Sequence, residues 1–230
     1  VAGIIGGATY GVAKGTNLVP VRVLDCTGSG TYSSVIAGLD WISANYTPGM
    51  AAVVNMSLGG PKSSTIDGAV ATLISKGVNI VVAAGNSNAD ACNYSPSNVP
   101  AAVTVGATDS NDARASYSNF GSCLDLFAPG SAITSTWLGA TGVNTISGTS
   151  MATPLVTGVI ARFISTNAGL TPAQVANSIK QSSTKGVVGG AGTNSLNQLI
   201  YLNITPSLVS ESPAPTEPVF KKVVPRGKKR

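Results

Sequence analysis

An α/β fold built on a mostly parallel sheet is what this chain predicts, and three observations carry the prediction. Short Val- and Ala-rich runs of strand length recur along the sequence. Segments with apolar residues at helical spacing stand between them. Gly, Ser and Asn punctuate the joints. Strand, helix and strand alternating at this spacing imply right-handed βαβ units with helices on the sheet. The 230 residues suffice for one domain with a sizeable core.

The elements follow in order. VPVRVL at 19–24 reads as a buried strand. Ser33 or Ser34 caps a helix to about Asn45, with Val35, Ile36, Leu39 and Ile42 on one face. AAVVNM at 51–56 is the next strand. Ile66, Ala69, Val70, Leu73 and Ile74 fall on one helical stripe, closed by Lys76 and Gly77. VNIVVAA at 78–84 and AAVTVGA at 101–107 are further buried strands, and short strands are expected near 124–127 and 133–136. Ser150 opens an apolar helix to about Thr166, with Pro154 expected in its first turn. Thr171-Pro172-Ala173-Gln174 is a capping box that starts a last helix to about Lys180. The composition then shifts to Pro, Ser, Glu and Lys, so residues 1–204 are read as one domain and 205–230 as a disordered tail.

Charge and special residues narrow the function classes. Only 10% of residues are charged, against about 25% in ordinary domains. The net charge of +5 comes from the tail: six of the 14 Lys and Arg lie in 221–230. A basic tail attracts anionic surfaces or is simply solvated. The domain itself shows no basic stripe for nucleic acid, and no apolar run is long enough to span a membrane. The chain has no His, which excludes a His-ligated metal and a His general base within these residues. Cys26, Cys92 and Cys123 form no C-x-x-C pattern. Two of them can pair in an oxidising compartment, leaving one over.

Three segments carry candidate chemistry. Gly28, Ser29 and Gly30, with Tyr32, lie between a strand and a helix, the place of a dinucleotide fingerprint. The third Gly is Ser33, and no acidic residue ends the next strand, so that reading fails. In Ser147-Gly148-Thr149-Ser150-Met151-Ala152-Thr153-Pro154, small residues deliver Ser150 to a helix start. The orphan N–H groups and positive dipole end there suit an oxyanion and a nucleophilic oxygen. Ser150 also reads simply as a helix cap, and the residues alone leave both readings open. Asn86, in Ala83-Ala84-Gly85-Asn86, follows a buried strand. Its amide suits an oxyanion donor, or a plain turn after Gly.

Together, GTSMATP at 148–154, AAGNSNAD at 83–90, NMSLGG at 55–60 and YGVAKGTNL at 10–18 resemble the subtilisin-like serine proteases (peptidase S8). The likeness is to their proteinase K branch and its aqualysin-like secreted members, and it runs over about 1–204. The resemblance implies a three-layer subtilisin-like fold and a secreted serine endopeptidase acting through an acyl-enzyme on Ser150. Asn86 and the Ser150 N–H would form the oxyanion hole. It further implies substrate-edge residues Gly28, Ser29, Gly30 and Tyr32, an opposing strand at Ser57, Leu58 and Gly59, and a small, uncharged specificity wall at Ala83, Ala84 and Gly85. A Cys92–Cys123 disulfide, a cis bond at Ser95–Pro96 and a structural calcium on Pro100, Ala102 and Asp125 belong to the same likeness. No cofactor is expected for catalysis. Extended polypeptides are the expected substrates, an upstream propeptide the expected inhibitor, and a monomer the expected state.

Two departures stand out. The triad Asp and His of the family would lie upstream of Val1, so these residues alone are expected to be nearly inactive. Leu155 stands where a His is common in the family, at a position outside the triad. The alternative reading is a non-catalytic pseudoprotease that binds peptides or partners.

Overall fold

A computed structural model of the chain describes residues 1–139 and 141–201. The tail expected at 205–230 lies outside the described residues. The elements are α1 (Ala2–Gly6), α2 (Tyr32–Asn45), β1 (Val53–Met56), β2 (Gly60–Pro61), α3 (Ser64–Ser75), β3 (Asn79–Ala83), β4 (Tyr94–Ser95), β5 (Val103–Thr108), β6 (Leu126–Pro129), β7 (Ile133–Thr136), β8 (Val143–Ile146), α4 (Thr149–Thr166), α5 (Pro172–Ser182), β9 (Thr184–Lys185) and β10 (Gln198–Leu199). The main sheet runs β1-β3-β5-β6-β10-β9. Its pairings are parallel except the last, β10 with β9.

The sheet has a packed layer on each face, and strand alternation assigns them. In β3, Val81 joins α4 and α5 residues such as Val156, Ile160 and Val175. Its neighbours Ile80 and Val82 join Val35 and Leu39 of α2 and Ile66, Val70 and Leu73 of α3. β3 and β5 are buried along their whole length, which fits their mainly apolar sequences. The helix signals act as read, with shifts at two starts: α4 begins at Thr149 after Gly148 and not at Ser150, and the cap of α2 moves. Thr31, not Ser33 or Ser34, caps α2, and Ser34 completes a reciprocal capping box from inside the helix. Thr171 and Gln174 form the expected box on α5.

The strand expected at 19–24 does not form. The segment runs outside the sheet, with Leu18 and Val19 exposed. A slot of about 130 Å³ separates Val19, Val21 and Val23 from Val54 and Met56 at the sheet's edge, with Leu39 and Ile42 of α2 among its walls. An apolar run becomes a ladder only beside a partner edge. Here the Val23 carbonyl accepts instead from Ser34 Oγ at 2.8 Å.

Candidate active site

Asn86 stands past the carboxyl end of β3, where open parallel sheets gather ligand-holding loops. Ala84 is fully buried. Its N–H donates to the Val105 carbonyl at 2.9 Å and its carbonyl accepts from Asn119 Nδ2 at 2.8 Å. The chain then turns at Gly85, φ +103°. A Cβ there would stand 2.5 Å from Asn119 Nδ2, so only glycine leaves the strand on this course. Asn119 is itself fully buried. Its Oδ1 accepts from the N–H of Ser87 at 2.9 Å and of Ala89 at 3.0 Å. One buried amide thus clamps the loop that carries Asn86.

The other half of the site is the start of α4. Gly148 precedes the helix with φ +156° and ψ 160°, a conformation essentially confined to glycine. Thr149 donates both its N–H and its Oγ1–H to Asn86 Oδ1, each at 2.9 Å. With its oxygen engaged twice, the planar Asn86 amide directs Nδ2 away, and among the described residues Nδ2 meets no hydrogen-bond acceptor. The Ser150 N–H is among the donors a helix start leaves unpaired, and no acceptor among the described residues takes it. A Cβ on Gly148 would lie 3.6 Å from Ser150 N and 3.7 Å from Asn86 Nδ2. Both nitrogens thus border the space that a side chain at 148 would take.

Ser150 Oγ donates to the Ser57 carbonyl at 3.2 Å, and Ser57 Oγ donates back to the Ser150 carbonyl at 3.0 Å. Pro154 leaves the acceptor of the second bond without its usual helical donor. It is the sixth residue of α4, not part of the first turn as the sequence suggested. Lacking an N–H, it leaves the carbonyl four residues earlier free for Ser57. A ladder of hydroxyls continues behind the site. Thr153 Oγ1 donates to Thr149 O at 2.7 Å, and Thr157 Oγ1 donates to Thr153 O and Asn55 Oδ1, each at 3.0 Å. Asn55 Nδ2 then donates to Ser57 Oγ at 2.9 Å. The arrangement offers a half-buried hydroxyl at a positive helix end beside two N–H donors, the kinds of group that an oxyanion site uses.

A family profile described as the subtilase family matches residues 1–198. The chain belongs to the subtilase family. It is 59% identical over 202 residues to an extracellular serine proteinase of Thermus sp. (strain Rt41A), covering 87% of this chain and 49% of that protein. It is 55% identical over 202 residues to alkaline serine exoprotease A of Vibrio alginolyticus, covering 87% of this chain and 37% of that one. A solved cold-adapted subtilisin-like serine proteinase superposes with a TM-score of 0.84 at 53% identity, covering 87% of this chain and 72% of that one. The chain therefore spans half or less of the length of these two sequence relatives. Its three-layer α/β architecture is that of a subtilisin-like neighbour.

The remaining sequence-read positions of this subtilase fall around the site unevenly. Ser57 reaches Ser150 directly, whereas Leu58 packs toward α2 and α3. Tyr32 Oη donates to the Pro61 carbonyl at 2.7 Å, and its ring lies against Gly60, just past Gly59. The loop at Gly28, Ser29 and Gly30 is closed by Asp25, whose Oδ1 accepts from Thr27 N, Thr27 Oγ1 and Ser29 N. Those bonds hold the exposed Asp25 carboxyl below its ordinary pKa. Ala83 and Ala84 are buried behind the Asn86 loop, and Gly85 donates its N–H to Thr149 Oγ1 at 3.3 Å. Cys92 and Cys123 form a disulfide, Cys26 is free and exposed, and Ser95–Pro96 is cis.

The calcium set fares differently. Asp125 Oδ2 accepts from Thr104 N at 2.9 Å and Oδ1 from Lys180 Nζ at 3.0 Å. Both oxygens face protein donors, and the charge is already matched. With Lys180 in place, Pro100, Ala102 and Asp125 do not suit a divalent cation, which would meet the ammonium as a like charge.

Sequence reasoning passed over Thr149, Asn119, Asn55 and Thr157. The spacing of Thr149, Thr153 and Thr157 at i, i+4 and i+8 was the available signal for the hydroxyl ladder. Asn119 left none, since its partners lie some 30 residues away in sequence.

Proposed function

We propose that the protein containing this chain is a serine endopeptidase that cleaves extended polypeptides through an acyl-enzyme on Ser150. The placing of Asn86 Nδ2 and the Ser150 N–H on either side of Gly148, beside the Ser150 hydroxyl, supports the reading. Ser150 Oγ attacks the scissile carbonyl, and its proton passes to a general base. The carbonyl oxygen, now an oxyanion, moves onto the two donors. Collapse expels the amine, which takes the proton back, and water then hydrolyses the ester in the same way. The 230 residues hold no His. The base and its carboxylate partner are proposed to come from a part of the protein upstream of Val1.

The Ser150 hydroxyl bonded to Ser57 O is then a resting state, released when a base accepts its proton. Secretion, an inhibitory propeptide and a monomeric state belong to the same proposal. The name of one relative, the extracellular serine proteinase of Thermus sp. (strain Rt41A), supports the first of these.

A fluorophosphonate probe on the full-length protein tests the reading. Labelling at Ser150 and loss of peptide hydrolysis in Ser150→Ala are expected. Asn86→Ala is expected to lower kcat by about 10²–10³ with little change in KM, the loss known for one oxyanion donor in a subtilisin. Peptide binding with neither labelling nor hydrolysis would instead establish a pseudoprotease. The chain of 230 residues alone should hydrolyse peptides at no more than a trace of the full-length rate.

A further inference from the structure

The single salt bridge among the described residues joins Lys180, in the last turn of α5, to Asp125, just before β6. Exposed pairs of this kind usually contribute little. This one is set deeper, with the Asp125 side chain only 17% exposed. Burial pushes the Asp125 carboxyl above its ordinary pKa, while the Thr104 N–H and the Lys180 ammonium pull the other way. The carboxylate is tied to the sheet twice over, since Asp125 N also donates to Thr104 O at 3.0 Å. Lys180 is equally fixed. Its neighbour Ile179 is buried in the core, and the negative end of α5 favours a cation in its last turn. Removing the ammonium would leave a mostly buried anion with one hydrogen bond and no counter-charge, the costly case for a buried carboxylate.

The geometry points to Lys180 as the built-in counter-ion of Asp125. We propose that its ammonium stands where a divalent cation would otherwise neutralise that carboxylate, so this end of the sheet is stable without calcium. The two occupants compete, because calcium ligating this carboxylate at about 2.4 Å would bring a second cation within a few ångströms of the ammonium that stands 3.0 Å from Oδ1.

The test uses the full-length protein, with calcium as the probe and two readouts other than activity: binding stoichiometry and thermal midpoint. The unsubstituted protein and Asp125→Asn are expected to bind the same number of calcium ions. Lys180→Met is expected to lose on the order of 5 °C of midpoint in chelator. It should bind one calcium ion more than the unsubstituted protein and recover its midpoint when calcium is added. The Lys180→Met, Asp125→Asn double variant should gain no ion. One ion fewer in Asp125→Asn than in the unsubstituted protein would overturn the proposal. So would a folded Lys180→Met that gains none. If Lys180→Met does not fold in chelator, the stoichiometries of the other two proteins still decide.

Discussion

Replacing Asn119 with Ala is the sharpest probe of how the Asn86 loop is held. The substitution strips partners from three backbone groups: the Ala84 carbonyl and the N–H groups of Ser87 and Ala89. Ala84 is fully buried, so its carbonyl bears the full desolvation penalty, about 1–3 kcal/mol. Ser87 is exposed and Ala89 half-buried. Water replaces their bonds in part, at about 0.5–1.5 kcal/mol each. The total is roughly 2–6 kcal/mol. At about 2–4 °C per kcal/mol for a chain of this size, the thermal midpoint should fall by roughly 5–20 °C. Scanning calorimetry measures it. Asn119→Asp serves as the control, because it keeps the shape and the Oδ1 acceptor but turns an oxygen toward the Ala84 carbonyl. It should destabilise at neutral pH at least as much. In peptide hydrolysis by the full-length protein, both variants should lower kcat more than they change KM, since Asn86 is loosened and not removed. A midpoint for Asn119→Ala within about 2 °C of the unsubstituted protein would refute the clamp.

Other outcomes follow from the same geometry. Gly148→Ala forces a side chain into φ +156° and over the spot shared by Asn86 Nδ2 and Ser150 N. It should cost about 1–3 kcal/mol of stability, and by blocking that spot it should lower kcat, read in paired melting and hydrolysis assays. Replacing Cys92 and Cys123 with Ser opens a loop of 31 residues. About 3–4 kcal/mol of stability should go with it, measured by denaturant unfolding under matched conditions. Asp125 has its carboxyl pKa raised, chiefly by burial. The folded state therefore binds this proton more tightly than the unfolded one. The contribution of Asp125 is largest below the ordinary value of 3.8 and declines as pH rises through the higher folded pKa. Following the Asp125 carboxyl by NMR should place its midpoint above 3.8, and Lys180→Met should move it higher still.

Local signals in the sequence were sufficient for most elements and for the candidate nucleophile. The apolar stripe of α3, the capping box of α5 and the mainly apolar strands β3 and β5 all depend on neighbours within a few residues, so periodicity and caps expose them. The segment 19–24 has an equally strong strand pattern, yet pairing needs an adjacent edge, and that is a property of the assembled sheet. Motif resemblance brought Ser150, Asn86, Cys92 and Cys123 into view, because family residues cluster in short segments that survive as text.

What the sequence determined by itself was therefore the fold class, the small-residue turns before Asn86 and Ser150, and the kinship those turns imply. Tertiary structure alone decided how the turns work. It set the rotation of Asn86 through Thr149, the Ser57–Ser150 exchange opened by Pro154, and the clamp at Asn119. It also seated Lys180 on Asp125, 55 residues away in sequence, where the resemblance implied a metal ion. Hydrogen bonds and ion pairs need ångström-scale distances and shared burial, and those exist only after distant segments have packed together.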